Sequence, residues 1–170
     1  MKKLVVIGVA ILGFAASSFA QSINVTATVE IKKALILSKI GDLNFGTIYA
    51  PSVLGTLHLE PSTGVLTPLN GGTVTFQSGT SNAVQFSITG TPNTSVVVQF
   101  PTTDINLINP AFVSPIKLVL KSSITNGNAI ITNGSGTATF YLGGDLTVGS
   151  NQPNGTYTNS NDLITVSVIY

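Results

Sequence analysis

Residues 83–89, AVQFSIT, alternate apolar and polar side chains without interruption. Successive side chains of a β-strand point to opposite faces, so this alternation predicts a strand with one buried and one polar face. Residues 23–31, INVTATVEI, keep the same alternation over nine positions. The two stretches together predict a protein built from half-buried strands.

The rest of the chain repeats this pattern in short runs and sustains no helical period. The runs are residues 43–45, 54–59, 73–76, 95–100, 116–120, 129–132, 137–142, 146–148 and 163–170. Asn-Gly pairs, which suit tight hairpin turns, begin at Asn70, Asn126, Asn133 and Asn154. We therefore expect an all-β protein, a β-sandwich formed by a single domain over residues 21–170.

Residues 1–20 have the three parts of a secretory signal peptide. Lys2 and Lys3 give a basic start, residues 4–16 are an apolar run, and small residues precede a cleavage point after Ala20. A membrane anchor is the alternative, but the run is short for a bilayer and no basic cluster follows it. We expect the remaining chain to be exported through the inner membrane to the periplasm, cell surface or exterior, without membrane insertion.

The charge of the chain excludes several classes of partner. All seven basic residues are Lys, and two of them belong to the predicted signal peptide, so five face six acids. A nucleic-acid-binding protein needs a dense basic face to neutralise phosphates, and this chain has none. The chain also has no Cys, which excludes disulfides and thiolate metal sites.

No group of residues in the sequence has the pattern of a catalytic or metal site. His58 is the single histidine, and its neighbours Leu57 and Leu59 make it an outward-facing strand residue rather than a metal ligand. The acids are isolated along the chain and lie mostly beside turn residues. We expect a protein that is not an enzyme and that holds no cofactor.

Several motifs in order along the chain resemble a known family. They are the alternating strand 23–31, GDLNFGTI at 41–48, AVQFSITG at 83–90 with TPN behind it, GTATFYLGGDLTV at 136–148, and GTY at 155–157 before a strand that ends at Tyr170. The set is similar to a secreted Gram-negative family of unknown function, which itself resembles spore coat protein U and the fimbrial subunits of chaperone–usher systems. The chain lacks the Cys pair that many fimbrial subunits carry.

This resemblance implies an incomplete immunoglobulin-like sandwich that is completed by a donor strand. In such subunits a periplasmic chaperone lends a strand, and the N-terminal extension of the next subunit later replaces it. The implied partners are other copies or related subunits, with a chaperone and an usher.

Two apolar faces are candidates for this exchange. The donor face consists of Ile23, Val25, Ala27, Val29 and Ile31, and the acceptor edge consists of Ile164, Val166, Val168 and Tyr170. An edge strand exposes unpaired N–H and C=O groups that another chain can pair with. The alternative is that residues 23–31 are the first strand of their own sandwich.

Two functions remain open from the sequence. The first is a structural cell-surface protein, a pilus- or coat-like subunit that assembles by strand addition. The second is a self-complete secreted sandwich that binds a ligand, such as a glycan, through its loops, although Trp is absent and the four Tyr do not cluster. Either way, we expect Phe45, Phe86 and Phe140 in the core, because each occupies an apolar strand position.

Overall fold

The alternating stretch at residues 83–89 forms a strand with one buried face. The computed structural model describes residues 21–69 and 74–170, and in it Val84, Phe86 and Ile88 point into the core while the residues between them are half-buried. The predicted signal peptide, residues 1–20, and the predicted turn at Asn70 lie outside the described residues.

The described part of the chain contains strands and no helix, and therefore no helix that is long and apolar enough to cross a membrane. In chain order the strands are β1 Ile36–Ile40, β2 Thr47–Ile48, β3 Gly55–Leu59, β4 Leu66–Leu69, β5 Phe76–Ser78, β6 Val84–Thr89, β7 Ser95–Gln99, β8 Ile105–Leu107, β9 Ile116–Ser122, β10 Ala129–Ile131, β11 Thr137–Val148 and β12 Ser167–Ile169.

The large sheet is antiparallel and is organised around β11. Its path runs β1-β6-β11-β3-β4, while β9 pairs with β11 and β8 pairs with β9. Leu142 of β11 lies opposite both Val84 and Ser122, and Leu146 lies opposite both Leu57 and Leu118. The strands β6 and β3 therefore share one edge of β11 in succession, and β9 occupies the other.

A second sheet, in the order β10-β7-β12, packs across the large one, and β2 pairs with β5 separately. The buried Val96 and Val98 of β7 join one apolar cluster with the inward-facing residues of the large sheet. At its centre the rings of Phe86 and Phe140 stack with centroids 5.0 Å apart. The predicted all-β sandwich is thus confirmed, and the three predicted core Phe residues, with Phe45, are buried.

The two runs at residues 137–142 and 146–148 form one twelve-residue strand rather than two strands. The chain passes through Gly143 and Gly144 without a break because neither residue has a side chain there. A Cβ on Gly143 would overlap the carbonyl oxygen of Leu59, and a Cβ on Gly144 would lie 2.7 Å from that of Val119. Strands on both sides can approach β11 closely only because these residues are glycine.

Other strand predictions need correction at their ends. Residues 43–45 form only a single bridge between Asn44 and Asn82, and of residues 163–170 only Ser167–Ile169 is a strand. The alternation at 163–166 still faces the core, but β12 pairs only along its last residues. The sequence prediction missed β1, β2, β4 and β8, because these strands are short or mostly exposed and lack a clear buried face.

The chain divides into two units, residues 1–31 and residues 32–170. The second unit holds all the strands named above and the apolar cluster. In the first unit the described residues 21–31 form no strand, which corrects the strand predicted at residues 23–31. Of its five apolar side chains, Ile23, Val25, Val29 and Ile31 are 79–87% exposed.

The stacked pair Phe86 and Phe140 should be a main source of stability. Replacing Phe140 by Ala should lower the free energy of unfolding by ~3–5 kcal/mol, because the lost ring leaves a cavity in a closed core. Urea denaturation would measure this, with Phe112→Ala, at a ring 40% exposed, as a control expected to cost under about 1 kcal/mol. A loss under about 1 kcal/mol at both Phe86 and Phe140 would contradict this view of the core.

Candidate strand-binding groove

A cavity of about 380 Å³ opens the sandwich down to its core. Its floor consists of Ile116, Leu118 and Leu146, each at most 5% exposed. One wall is the segment 43–48, which follows β1, and the other is formed by residues 155–159 with Ile164. Core side chains are therefore reached from outside between two stretches of chain that hold little regular structure.

A second hollow of about 390 Å³ adjoins the first and shares Ile48, Ile116 and Tyr157 with it. Its wall is fixed by hydrogen bonds, because the Tyr157 hydroxyl donates to the Pro153 carbonyl at 2.8 Å and the buried Gln152 amide donates to the Ser114 carbonyl at 2.7 Å. The two hollows together form an elongated depression, which we call the groove.

No charged side chain lines either hollow of the groove. Its apolar lining is interrupted by neutral groups such as Asn44, Thr47 and Asn159. An ionic ligand would find no counter-charge there, whereas an extended segment with one apolar face would bury that face on the floor. The groove is chemically suited to a strand.

The predicted acceptor edge lies beside this groove for three of its four residues. Ile164, Val166 and Val168 are half-buried and pack against the apolar cluster on one side of the chain. Within the described residues, β12 pairs with β7 alone, so its other edge keeps backbone groups available. Tyr170 is different: its hydroxyl is bonded to Thr91 and to the Lys33 backbone, away from the lining of the groove.

The predicted donor residues are described separately, as part of residues 21–31. Ala27 is exposed like its four larger neighbours in the alternation, so the whole apolar face of this segment is in contact with solvent. A row of uncovered apolar side chains is a common mark of an interaction site. The sequence thus found both faces, but it did not predict the groove, whose floor comes from β9 and β11.

A cluster of charged residues lies across β3, β11 and β9. His58 holds Asp145 through Nδ1 at 2.6 Å and Glu60 through Nε2 at 3.2 Å, and Lys121 reaches Asp145 at 3.3 Å. His58 and Asp145 are cross-strand partners. As predicted, His58 lies between two buried strand residues. The search of the described residues finds no group of three His, Asp or Glu that could hold a metal ion.

The cluster was missed by sequence reasoning because its members are 87 positions apart in the chain. The pKa of His58 is raised above its ordinary 6.5, mainly by the hydrogen bond to Asp145, against the opposing effect of burial and with a smaller contribution from Glu60. The pKa of Glu60 is lowered from 4.5, chiefly by its hydrogen bond to His58. Each shift favours the charged form of its group.

Comparison with known proteins identifies one family. The family model described as "Domain of unknown function (DUF4402)" matches residues 35–170. No curated protein matches the chain, and no solved structure does. The matched residues include both walls and the floor of the groove.

The charged cluster should make stability depend on pH in a definite direction. Because the pKa of His58 is higher in the folded than in the unfolded state, its contribution is fully present below pH 6.5 and is lost as the pH rises through the folded value. The contribution of Glu60 is present above pH 4.5 and is lost as the pH falls through its lowered folded pKa. The cluster should therefore stabilise the fold most between pH 4.5 and 6.5.

Urea denaturation of wild type and His58→Gln at pH 5.5 and pH 8 would test the histidine. Wild type should lose part of its free energy of unfolding at the higher pH, and the variant should lose less. At pH 5.5 the variant should be less stable by roughly 0.2–1 kcal/mol, the contribution of a cross-strand charge pair. Equal changes in the two proteins between these pH values would contradict a role for His58.

Proposed function

The chain belongs to the DUF4402 family, and we propose that it is a non-enzymatic structural protein of the cell surface that assembles with other copies by strand addition. The observation that supports this proposal best is the uncharged groove, which opens on the buried floor of Ile116, Leu118 and Leu146. In this proposal the chain is exported, and a strand of a neighbouring subunit fills the groove. A periplasmic chaperone and an usher are the proposed helpers of assembly.

The groove offers an incoming strand both parts of what it needs. The free edge of β12 can supply backbone hydrogen bonds, which give affinity without regard to sequence. The apolar floor receives alternate side chains, which gives specificity for a segment of period two. A small ligand would use only the floor, so the pairing of a free edge with an apolar groove favours a strand as the occupant.

Residues 23–31 are the proposed donor strand. Their alternation gives one face with Ile23, Val25, Ala27, Val29 and Ile31, and this face is exposed in the described chain. Burying each of the larger side chains contributes ~1.5–3 kcal/mol. This gain offsets the loss of freedom of a segment that has no regular structure before it binds.

A single charge on the donor face should block assembly while leaving the fold intact. In Val29→Asp, an unpaired carboxylate would have to enter the apolar groove of the partner, at a cost of several kcal/mol. Sedimentation velocity on residues 21–170 should show concentration-dependent assembly for wild type and monomers for the variant. The melting temperatures should agree, because the apolar cluster lies within residues 32–170.

Thr28→Asp is the matched control, since it places the same charge one position away on the opposite face. This variant should assemble like wild type. The proposal would be rejected by a wild type that stays monomeric at high concentration together with a Val29→Asp variant that melts far lower. That pair of results would mean that residues 23–31 complete their own sandwich.

A further inference from the structure

The hydroxyl of Tyr170 ties together three separate segments of the unit formed by residues 32–170. It donates to the Lys33 carbonyl and receives the backbone N–H of Thr91 at 2.9 Å. The Thr91 hydroxyl lies 3.0 Å from the same oxygen and accepts the Lys33 N–H at 2.7 Å. We call this arrangement of Lys33, Thr91 and Tyr170 the Tyr170 knot. It occupies both backbone polar groups of Lys33.

The surrounding residues are shaped to admit the phenol ring. A Cβ on Gly90 would lie 2.8 Å from the Tyr170 hydroxyl oxygen and 2.7 Å from a methyl group of Leu35, so only glycine leaves room. The Lys32 ammonium lies 5.3 Å from the centre of the Tyr170 ring, within the range of a cation–π interaction. Contacts from four positions therefore hold one side chain in place.

The knot connects the two elements that strand addition requires. Residues 32–33 follow directly on the exposed segment 21–31, and Tyr170 follows directly on β12, whose edge is available. The Ile164 end of the same stretch borders the groove, and the Tyr170 end holds the base of the donor segment. One hydroxyl thus fixes the donor base against the far end of the acceptor edge.

We propose that the Tyr170 knot directs the donor segment to a second copy of the chain and prevents its capture by the groove of its own molecule. This inference rests on the proposed function. To enter its own groove, the segment would have to reverse direction next to residues 32–35 and run beside β12 from the Tyr170 end, parallel to it. The knot opposes that reversal because the N–H and C=O of Lys33 are already bonded.

The segment of a neighbouring molecule is not subject to this constraint. It can enter the groove antiparallel to β12, which is the slightly more stable pairing per residue. Tyr170 is therefore a positioning residue rather than part of the groove lining. Removing its hydroxyl should change which molecule fills the groove and leave the groove itself unchanged.

The test compares wild type, Tyr170→Phe and Tyr141→Phe in the chain from residue 21. Tyr141→Phe makes the same chemical change on a side chain between the buried Phe140 and Leu142, outside the knot. Sedimentation velocity measures assembly, and fluorescence anisotropy measures uptake of a labelled synthetic peptide of residues 22–31. Tyr170→Phe should be largely monomeric and should take up the peptide at least tenfold more slowly, while Tyr141→Phe behaves like wild type.

Deleting residues 21–31 separates the knot from the groove. The deletion should restore peptide uptake by Tyr170→Phe to the rate of the same deletion in wild type, because the competing segment is gone. Thr91→Val, which removes a second member of the knot, should shift assembly in the same direction as Tyr170→Phe.

Three results would overturn the inference, and they are distinguishable. If Tyr170→Phe assembles and takes up peptide like wild type, the knot does not direct the segment, and the proposed function stands. If the deleted Tyr170→Phe still fails to take up peptide while the deleted wild type succeeds, the hydroxyl shapes the groove instead. If the deleted wild type takes up no peptide, the proposed function itself fails.

Discussion

The sandwich depends on the close approach of strands to both edges of β11 at Gly143 and Gly144. At these two positions the neighbouring backbones of β3 and β9 come so near that a Cβ would collide with them. The pairing lets one strand serve β6 first and β3 afterwards, so a single continuous sheet covers the core. The floor of the groove, Leu118 and Leu146, sits on the second half of that strand and its partner.

The scarcity of charge links the stability of the fold to its proposed role. Six acids and seven Lys in 170 residues leave packing and backbone hydrogen bonds as the main stabilising forces. The charges that β3, β11 and β9 do carry are gathered in the His58 cluster, apart from the groove, which has none. A low charge normally favours edge-to-edge association, and here the free edge of β12 lies where such association has a definite partner surface.

The sequence could predict the strands that bury one face, because period two is a local property of the chain. The alternation at residues 83–89 and the inward positions of Phe86 and Phe140 were predictable on that basis. The contact between His58 and Asp145 was not, since it depends on which strands pair and in which register. The segment 23–31 shows the limit of the method: alternation predicts an apolar face but cannot state whether the partner strand belongs to the same molecule.

A subunit that carries both a groove and a strand to fill it faces a problem of effective concentration. A segment joined to its own groove by a short linker is present at an effective concentration of the order of millimolar, well above that of any neighbour in dilute solution. Intramolecular capture therefore wins unless geometry forbids it. Affinity alone cannot solve this problem, because both grooves are identical. The discrimination must come from the linker, and residues 32–33 are where the bonds to Thr91 and Tyr170 restrain it.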